Sequence, residues 1–201
     1  MNFLSIETST SICSVALFKN KYLIQSEKTN IPKSHSKELG NMIQQLFEKS
    51  NLKIDFLDFI ALSSGPGSFT GLRIGSSLAK GIAFALNIPL VMVPTLHSLA
   101  SQIKSINNYS LGLFSHKNYL YVQDFKDAKP INNIELIEAN NLKNKKLYGF
   151  SLDQLDITLD YIEVEPSAQN VGLLAIENYN KWLVKDLTKA KLNYITNLKI
   201  N

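Results

Sequence analysis

Ser63-Ser64-Gly65-Pro66-Gly67-Ser68-Phe69-Thr70-Gly71-Leu72-Arg73-Ile74-Gly75 is the stretch around which the chain organises itself. It follows an apolar run, Phe56 to Leu62, that reads as a buried strand, and leads into an apolar helix extending to about Asn87. Four of the nine glycines fall inside it, so the backbone must turn tightly and be approached closely here. A glycine-rich turn between a strand and a helix N-terminus is a natural anion site, because free N–H groups and the positive end of the helix dipole point into the turn. The residues also argue the other way. No Gly-Lys-Ser/Thr ending makes this a Walker loop. Gly65 and Gly67 begin a G-x-G-x-x-G pattern, but Thr70 occupies the third glycine position and Pro66 lacks an N–H. Phosphate binding and tight helix packing both stay open, with packing favoured.

Before this stretch, Phe3–Glu7, Ile12–Phe18 and Tyr22–Glu27 read as three strands of a meander, with Thr8-Ser9-Thr10-Ser11 as a hydroxyl-rich turn. A loop with Pro32 precedes a helix from about His35 to Ser50, with Ser34 or Ser36 available as its cap. Leu39, Met42, Ile43, Leu46 and Phe47 form one apolar stripe on that helix. After the glycine stretch comes a strand, Leu90–Val93, bracketed by prolines. The order β-β-β-α-β-α-β predicts an α/β lobe with a mixed sheet. Further on, Thr95 begins a helix to about Lys104, and Tyr109–Phe114 and Tyr119–Phe125 read as strands. Ile134–Ile137, Lys146–Phe150 and Leu159–Val164 are weaker strands, and Pro166-Ser167 opens a helix to about Trp182. Six glycines precede Pro94 and three follow it, which suggests a first lobe over residues 1–95 and a divergent second lobe over 96–184. The Lys-rich tail 185–201 is expected to pack back on the first lobe.

The chain's 201 residues and 45% hydrophobic content suit a globular protein of one domain or two small ones. No run reaches the ~18 apolar residues of a membrane span. Met1-Asn2-Phe3-Leu4-Ser5-Ile6-Glu7 meets an acid too early for a signal peptide, so a cytoplasmic protein is expected. Cys13 is the only cysteine, which leaves neither disulfides nor Cys-type zinc sites, and its alternating strand makes it a buried thiol. The net charge is +4, but Arg73 is the only arginine among 21 basic residues. Nucleic-acid surfaces rely on arginine for bidentate contacts, so direct RNA binding by this chain alone is not expected.

On a wheel at 100° per residue, the helix after Thr70 carries Arg73, Ser76, Ser77, Lys80 and Asn87 on one side and Ile74, Leu78, Ile82, Ala85 and Leu86 on the other. Beside these runs a row of small residues, Gly71, Gly75, Ala79 and Ala83. Apolar and small positions together cover more than one core face, so the helix is covered on two sides, by its own sheet and by a second lobe or another molecule.

Ser5-Ile6-Glu7-Thr8-Ser9-Thr10, Ser34-His35-Ser36, the run Gly65–Gly75 and Thr95-Leu96 resemble the bacterial TsaB (YeaZ) family. The resemblance is carried by residues 1–100. It implies an α/β fold of the actin-like/Hsp70-like ATPase (ribonuclease H-like) class, with two small lobes of mixed sheet and packed helices. It also implies a non-catalytic scaffold subunit in making N6-threonylcarbamoyladenosine next to the anticodon of ANN-decoding tRNAs. The implied partners are the catalytic paralogue TsaD and the ATPase TsaE, with a homodimer as a further state and tRNA met mainly through the complex. Pairing through the first two helices of the lobe would use Leu39, Met42, Ile43, Phe47, Gly71, Gly75, Leu78 and Ile82. On that reading, leucine at Gly71 or Gly75 is expected to leave the monomer folded and to block pairing. The sequence departs from the family at Glu7, where aspartate is usual. It departs again at Phe114-Ser115-His116, in place of an Asp-Ala-Arg segment, and at Leu192-Asn193-Tyr194-Ile195-Thr196, which echoes a Pro-x-Tyr-Leu-Arg ending.

Glu7, Thr8 and Ser9 with Gly65, Gly67 and Ser68 form a candidate vestigial nucleotide or anion site, the acid holding a magnesium-bound water. The alternative function is therefore a nucleotide-dependent transferase or kinase using Glu7 and the Gly65–Gly75 loop. No catalytic residue, metal or cofactor is expected in this chain, and ATP or ADP only at a partner junction. His35, His97 and His116 lack the spacing that places two imidazoles on one helix face. A serine hydrolase would need a G-x-S-x-G elbow, which Gly65-Pro66-Gly67-Ser68-Phe69 does not supply.

Overall fold

The alternating and continuous apolar runs sort into two six-stranded sheets in the computed structural model, which describes residues 1–30, 35–104 and 106–195. The meander is as read from sequence: β1 (Phe3–Glu7), β2 (Cys13–Lys19) and β3 (Tyr22–Thr29) pair antiparallel. Asn20 and Lys21 take positive φ at the β2–β3 turn, as a tight hairpin requires. Helix α1 (His35–Ser50) leads through a 3-10 turn, Ile54–Phe56, to β4 (Phe59–Ser63), α2 (Phe69–Leu86) and β5 (Leu90–Val93). Strands β4 and β5 add parallel beside β1. β4 begins later than the expected Phe56, because the 3-10 turn takes Phe56 to the surface and Asp58 accepts the Asn2 backbone N–H at 2.6 Å. The expected cap Ser34 and the loop at Pro32 lie outside the described residues, and Ser36 already belongs to α1.

The second sheet follows α3 (Thr95–Ala100) and comprises β6 (Asn108–His116), β7 (Tyr119–Lys126), β8 (Lys129–Pro130), β9 (Glu135–Glu138), β10 (Leu147–Phe150) and β11 (Tyr161–Glu163). Its order β9-β7-β6-β10-β11 repeats the first sheet's β3-β2-β1-β4-β5, with the same two antiparallel and two parallel pairings. Where the first lobe inserts α1 and α2, the second has only the 3-10 turns Ala139–Leu142 and Leu152–Gln154. No repeat is legible in the sequence, because the repeated quantity is a strand order and not a residue pattern. Two such lobes make the actin-like, ribonuclease H-like α/β fold.

Helix α3, short of the expected Lys104, packs Leu96, Leu99 and Ala100 on Tyr109, Leu111, Leu113 and Phe125 of the second sheet. The chain then returns. α4 (Ala168–Glu177), α5 (Tyr179–Trp182) and β12 (Leu183–Val184) lie on the first sheet, although sequence placed them in the second lobe. The single helix expected to Trp182 breaks at Asn178, whose side chain donates to the Leu174 carbonyl. Two serines seat α4: Ser5 Oγ donates to the Ala168 carbonyl at 2.7 Å, and Ser14 Oγ accepts the Ala168 N–H at 2.6 Å. Under α4, Phe3 stacks between Phe18 and Phe59 with centroids 4.5 and 4.3 Å away. Strands β1 and β4 are buried on both faces because α1 and α2 cover one side and α4 the other, which gives them a continuous apolar reading. No helix among the described residues is long and apolar enough to cross a membrane.

Gly172 lets α4 touch the sheet, since a Cβ there would overlap the Phe18 ring. Gly172→Ala is therefore expected to lower stability by ~1–3 kcal/mol in urea unfolding. Gly81→Ala, on the exposed side of α2 with open space around it, is expected to raise stability by about 1 kcal/mol in the same assay.

Candidate functional site

The glycine stretch closes against the β1–β2 turn. A Cβ at Gly67 would overlap the Ser9 carbonyl oxygen, one at Gly71 the Thr8 carbonyl oxygen, and one at Gly75 the Thr8 hydroxyl. The Ser68 N–H donates to the Ser9 carbonyl at 2.6 Å, and Ser68 Oγ caps α2 by accepting the Gly71 N–H at 3.2 Å. Two of the N–H groups an anion would need, those of Ser68 and Gly71, are thus committed inside the protein. Gly65, at φ +99°, lies against the tail: its Cβ would sit 2.7 Å from the Asn193 carbonyl oxygen.

Glu7 is fully buried at the end of β1. Its Oε1 accepts the Ser9 N–H at 2.6 Å, and its Oε2 has no hydrogen-bond partner. Burial pushes the carboxyl above the ordinary carboxylate range, against the opposing pull of hydrogen bonds from Ser9 and Ser63. The Thr8 N–H donates to Ser63 Oγ at 3.4 Å. Of the six candidate nucleotide-site residues, Ser9, Gly67 and Ser68 border open space between the lobes, whereas Glu7, Thr8 and Gly65 sit behind them.

That space is a cleft of about 810 Å³. Its first-lobe wall includes Ser9, Thr10, Ser11, Ser68, Phe69 and Thr70; its second-lobe wall includes Phe114, Ser115, His116, Tyr121, Ser151 and Gln154. Phe114-Ser115-His116, read from sequence as a divergence, faces the glycine loop across this gap. His116 stacks on Tyr119 and pairs with Ser115 Oγ at 3.0 Å. His97 lies elsewhere, edge-on to Phe125 and Trp182, and burial lowers its pKa. Burial, with Glu7 and Glu38 nearby, raises the Cys13 thiol to about 12, so it is an inert core group. The side chain of His35 is outside the described residues.

The candidate interface residues divide in a way sequence did not show. Leu39, Met42 and Ile43 are buried in the core between α1 and the sheet. Gly71 and Gly75 face Thr8 and are closed to any partner, so leucine at either position would disrupt the monomer, which corrects the expectation of a folded variant. Phe47, Leu78 and Ile82 are half-buried and, with Gly40, the edge of Ile43 and Ile54, line a groove of about 380 Å³ between α1 and α2. Gly40 opens onto that groove with free space beyond it. Sequence reasoning missed Gly40, although its spacing of three and seven residues from Ile43 and Phe47 sets it beside them on one face of α1. It also missed the stack at the start of α2, where the Arg73 guanidinium lies 3.7 Å from the Phe69 ring centroid and Tyr194 packs against the same ring.

The family model of the tRNA N6-adenosine threonylcarbamoyltransferase, TsaD, matches residues 24–155. The tRNA threonylcarbamoyladenosine biosynthesis protein TsaB of Buchnera aphidicola subsp. Acyrthosiphon pisum is 36% identical, over 89% of this chain and 91% of that protein. The Bacillus subtilis protein of the same name is 30% identical over 63% of this chain and 61% of its own length. Among solved structures, YeaZ from Pseudomonas aeruginosa has the same fold, with a TM-score of 0.78 at 22% identity over 96% of this chain and 99% of that one. The transferase model and a relative that spans nearly the whole chain lead to one assignment: the chain belongs to the TsaB (YeaZ) family.

Proposed function

We propose that this chain acts in tRNA threonylcarbamoyladenosine biosynthesis as a non-catalytic scaffold that docks the catalytic paralogue TsaD through α1 and α2. The observation that carries the reading is the apolar groove between those helices, where Phe47, Leu78 and Ile82 are only half covered by the protein's own core. Seating a partner helix there would remove this apolar area from water at about 25 cal/mol per Å², less the cost of association. A second copy of the chain would use the same groove, so homodimer and partner complex compete, and TsaE and tRNA join through the assembled complex in the cytoplasm. The first lobe, residues 1–95 with the returning segment 168–190, is the docking unit in this reading, and the second lobe flanks it.

The nucleotide-dependent transferase is the second reading, and the cleft bordered by Ser9, Gly67 and Ser68 is the observation in its favour. Glu7 weighs against it, because the carboxyl is turned into the core and bonded to the Ser9 N–H instead of facing the cleft.

Gly40→Arg tests the docking surface. The new side chain starts in open space, so thermal stability should be kept or raised, while co-purification with TsaD should fall at least about tenfold, the equivalent of 1.4 kcal/mol. Unchanged complex formation by the folded variant would remove the groove from consideration. For the second reading, calorimetry with ATP and magnesium on the isolated chain should register no tight binding; tight binding abolished by Glu7→Ala would reverse the preference.

Glu7 also sets a pH dependence. Its folded pKa lies above the ordinary value of 4.5, so the folded state holds the proton more tightly than the unfolded chain. Stability from this group is complete below the unfolded value and is lost as pH rises from there through the folded value. Glu7→Gln should flatten that decline in urea titrations between pH 4 and neutrality; an unchanged slope would place the charge elsewhere.

A further inference from the structure

The tail from Leu187 onward packs Leu187, Ala190 and Leu192 into the core beneath α1 and α2. It then runs past the end of β4, where the Asn193 N–H donates to the Ser64 carbonyl at 2.7 Å. The Asn193 carbonyl oxygen closes over Gly65, so closely that any Cβ there would meet it at 2.7 Å. One residue later, Tyr194 packs against Phe69, with ring centroids 5.2 Å apart, and Arg73 lies against that same ring. Two successive tail residues therefore hold the two ends of one short loop: Asn193 its start at Ser64-Gly65, and Tyr194 the first turn of α2.

The loop between these points is otherwise held from the side of β1 and β5. Ser64 N–H donates to the Val93 carbonyl, Gly65 accepts the Thr95 N–H, and Ser68 N–H donates to Ser9. Phe69 is 53% exposed, and its ring is held by Arg73 from its own helix and by Tyr194 from the tail. The same loop borders the cleft through Gly67 and Ser68 and starts the helix that carries Leu78 and Ile82.

We propose that residues 190–194 form a C-terminal strap that clamps the glycine loop and fixes the first turn of α2, making the chain's tail a control point over both the inter-lobe cleft and the α2 surface. Gly65 is glycine for the strap's sake as well as for its backbone conformation. Displacing the strap would free the loop at Ser64-Gly65 and let α2 fray from its N-terminus, leaving the strands beneath it paired. A molecule that captured Tyr194 or competed for the Ser64 carbonyl would act on the cleft and on α2 together.

Asn193→Pro and Asn193→Ala separate the strap's backbone bond from its side chain, since only proline deletes the N–H that Ser64 accepts. Amide hydrogen exchange of the full chain reads the result. With proline, the amides of Ser68, Gly71, Leu72 and Thr95 should exchange on the order of fivefold faster, about the worth of one hydrogen bond, while β1 and β2 amides keep their rates. With alanine, all should match the natural chain. Tyr194→Ala gives a second route that leaves the backbone bond intact: Phe69–Leu72 amides should speed up and Thr95 should not. Equal rates in the proline and alanine variants, or acceleration spread evenly through the first sheet, would overturn the strap. Should Asn193→Pro fail to fold, unchanged rates at Phe69–Leu72 in Tyr194→Ala would overturn it as well. The exchange is measured on the chain without partners, so its outcome is independent of the docking reading.

Discussion

The contact on which most of this structure depends is the approach of α2 and its preceding loop to the backbone of Thr8 and Ser9. Gly67, Gly71 and Gly75 meet that turn at distances no side chain tolerates, and the atoms opposite them are chiefly main-chain oxygens continuous with β1. Such atoms cannot step aside without breaking the sheet, so the glycines are a steric requirement of the fold. Ser68 adds to this packing: its N–H goes to Ser9, and its hydroxyl goes to the helix it caps.

This approach also orients α2. With its small residues turned to the sheet, Gly71, Gly75, Ala79 and Ala83 become the buried row, and Ile74, Leu78 and Ile82 swing toward α1 and the surface. Helix α1 is seated on the strands by larger groups, Leu39, Met42, Ile43 and Leu46. The groove is what remains between a helix seated through small residues and one seated through large ones.

The two lobes make the same strand order with different means. The first sheet is closed on one face by α1 and α2 and on the other by α4, which arrives from the far end of the chain. The second is closed by α3, which arrives from the first lobe, and by short turns around Leu142, Leu152 and Leu155. The first lobe thus depends on a helix that follows the second in sequence, so the chain's crossings as well as packing join the two. Among the described residues, only the first lobe has full-length helices where strands cross over.

Local sequence determined nearly every strand and helix of the first hundred residues, because alternation, the α1 stripe and the proline and glycine punctuation all act within a few residues. It also determined that α2 carries too much apolar surface for one core, and the departure at Phe114-Ser115-His116 marked what later proved to be a cleft wall. The tertiary structure decided everything that depends on partners distant in the chain. The wheel of α2 shows two candidate inner rows, and only the backbone of Thr8 and Ser9 selects the small one. Glu7 ends a strand in either setting, and only enclosure by neighbouring segments turns it from a metal-facing acid into a buried carboxyl. Residues 168–184 read as second-lobe chain until Ser5 and Ser14, more than a hundred and fifty positions earlier, take both backbone groups of Ala168. The tail carries no periodic pattern, since its few apolar contacts are irregularly spaced and its hold on Ser64 and Gly65 runs through backbone groups, which no residue type announces. Its place against Gly65 is the clearest case of a feature that the chain encodes and only the folded molecule displays.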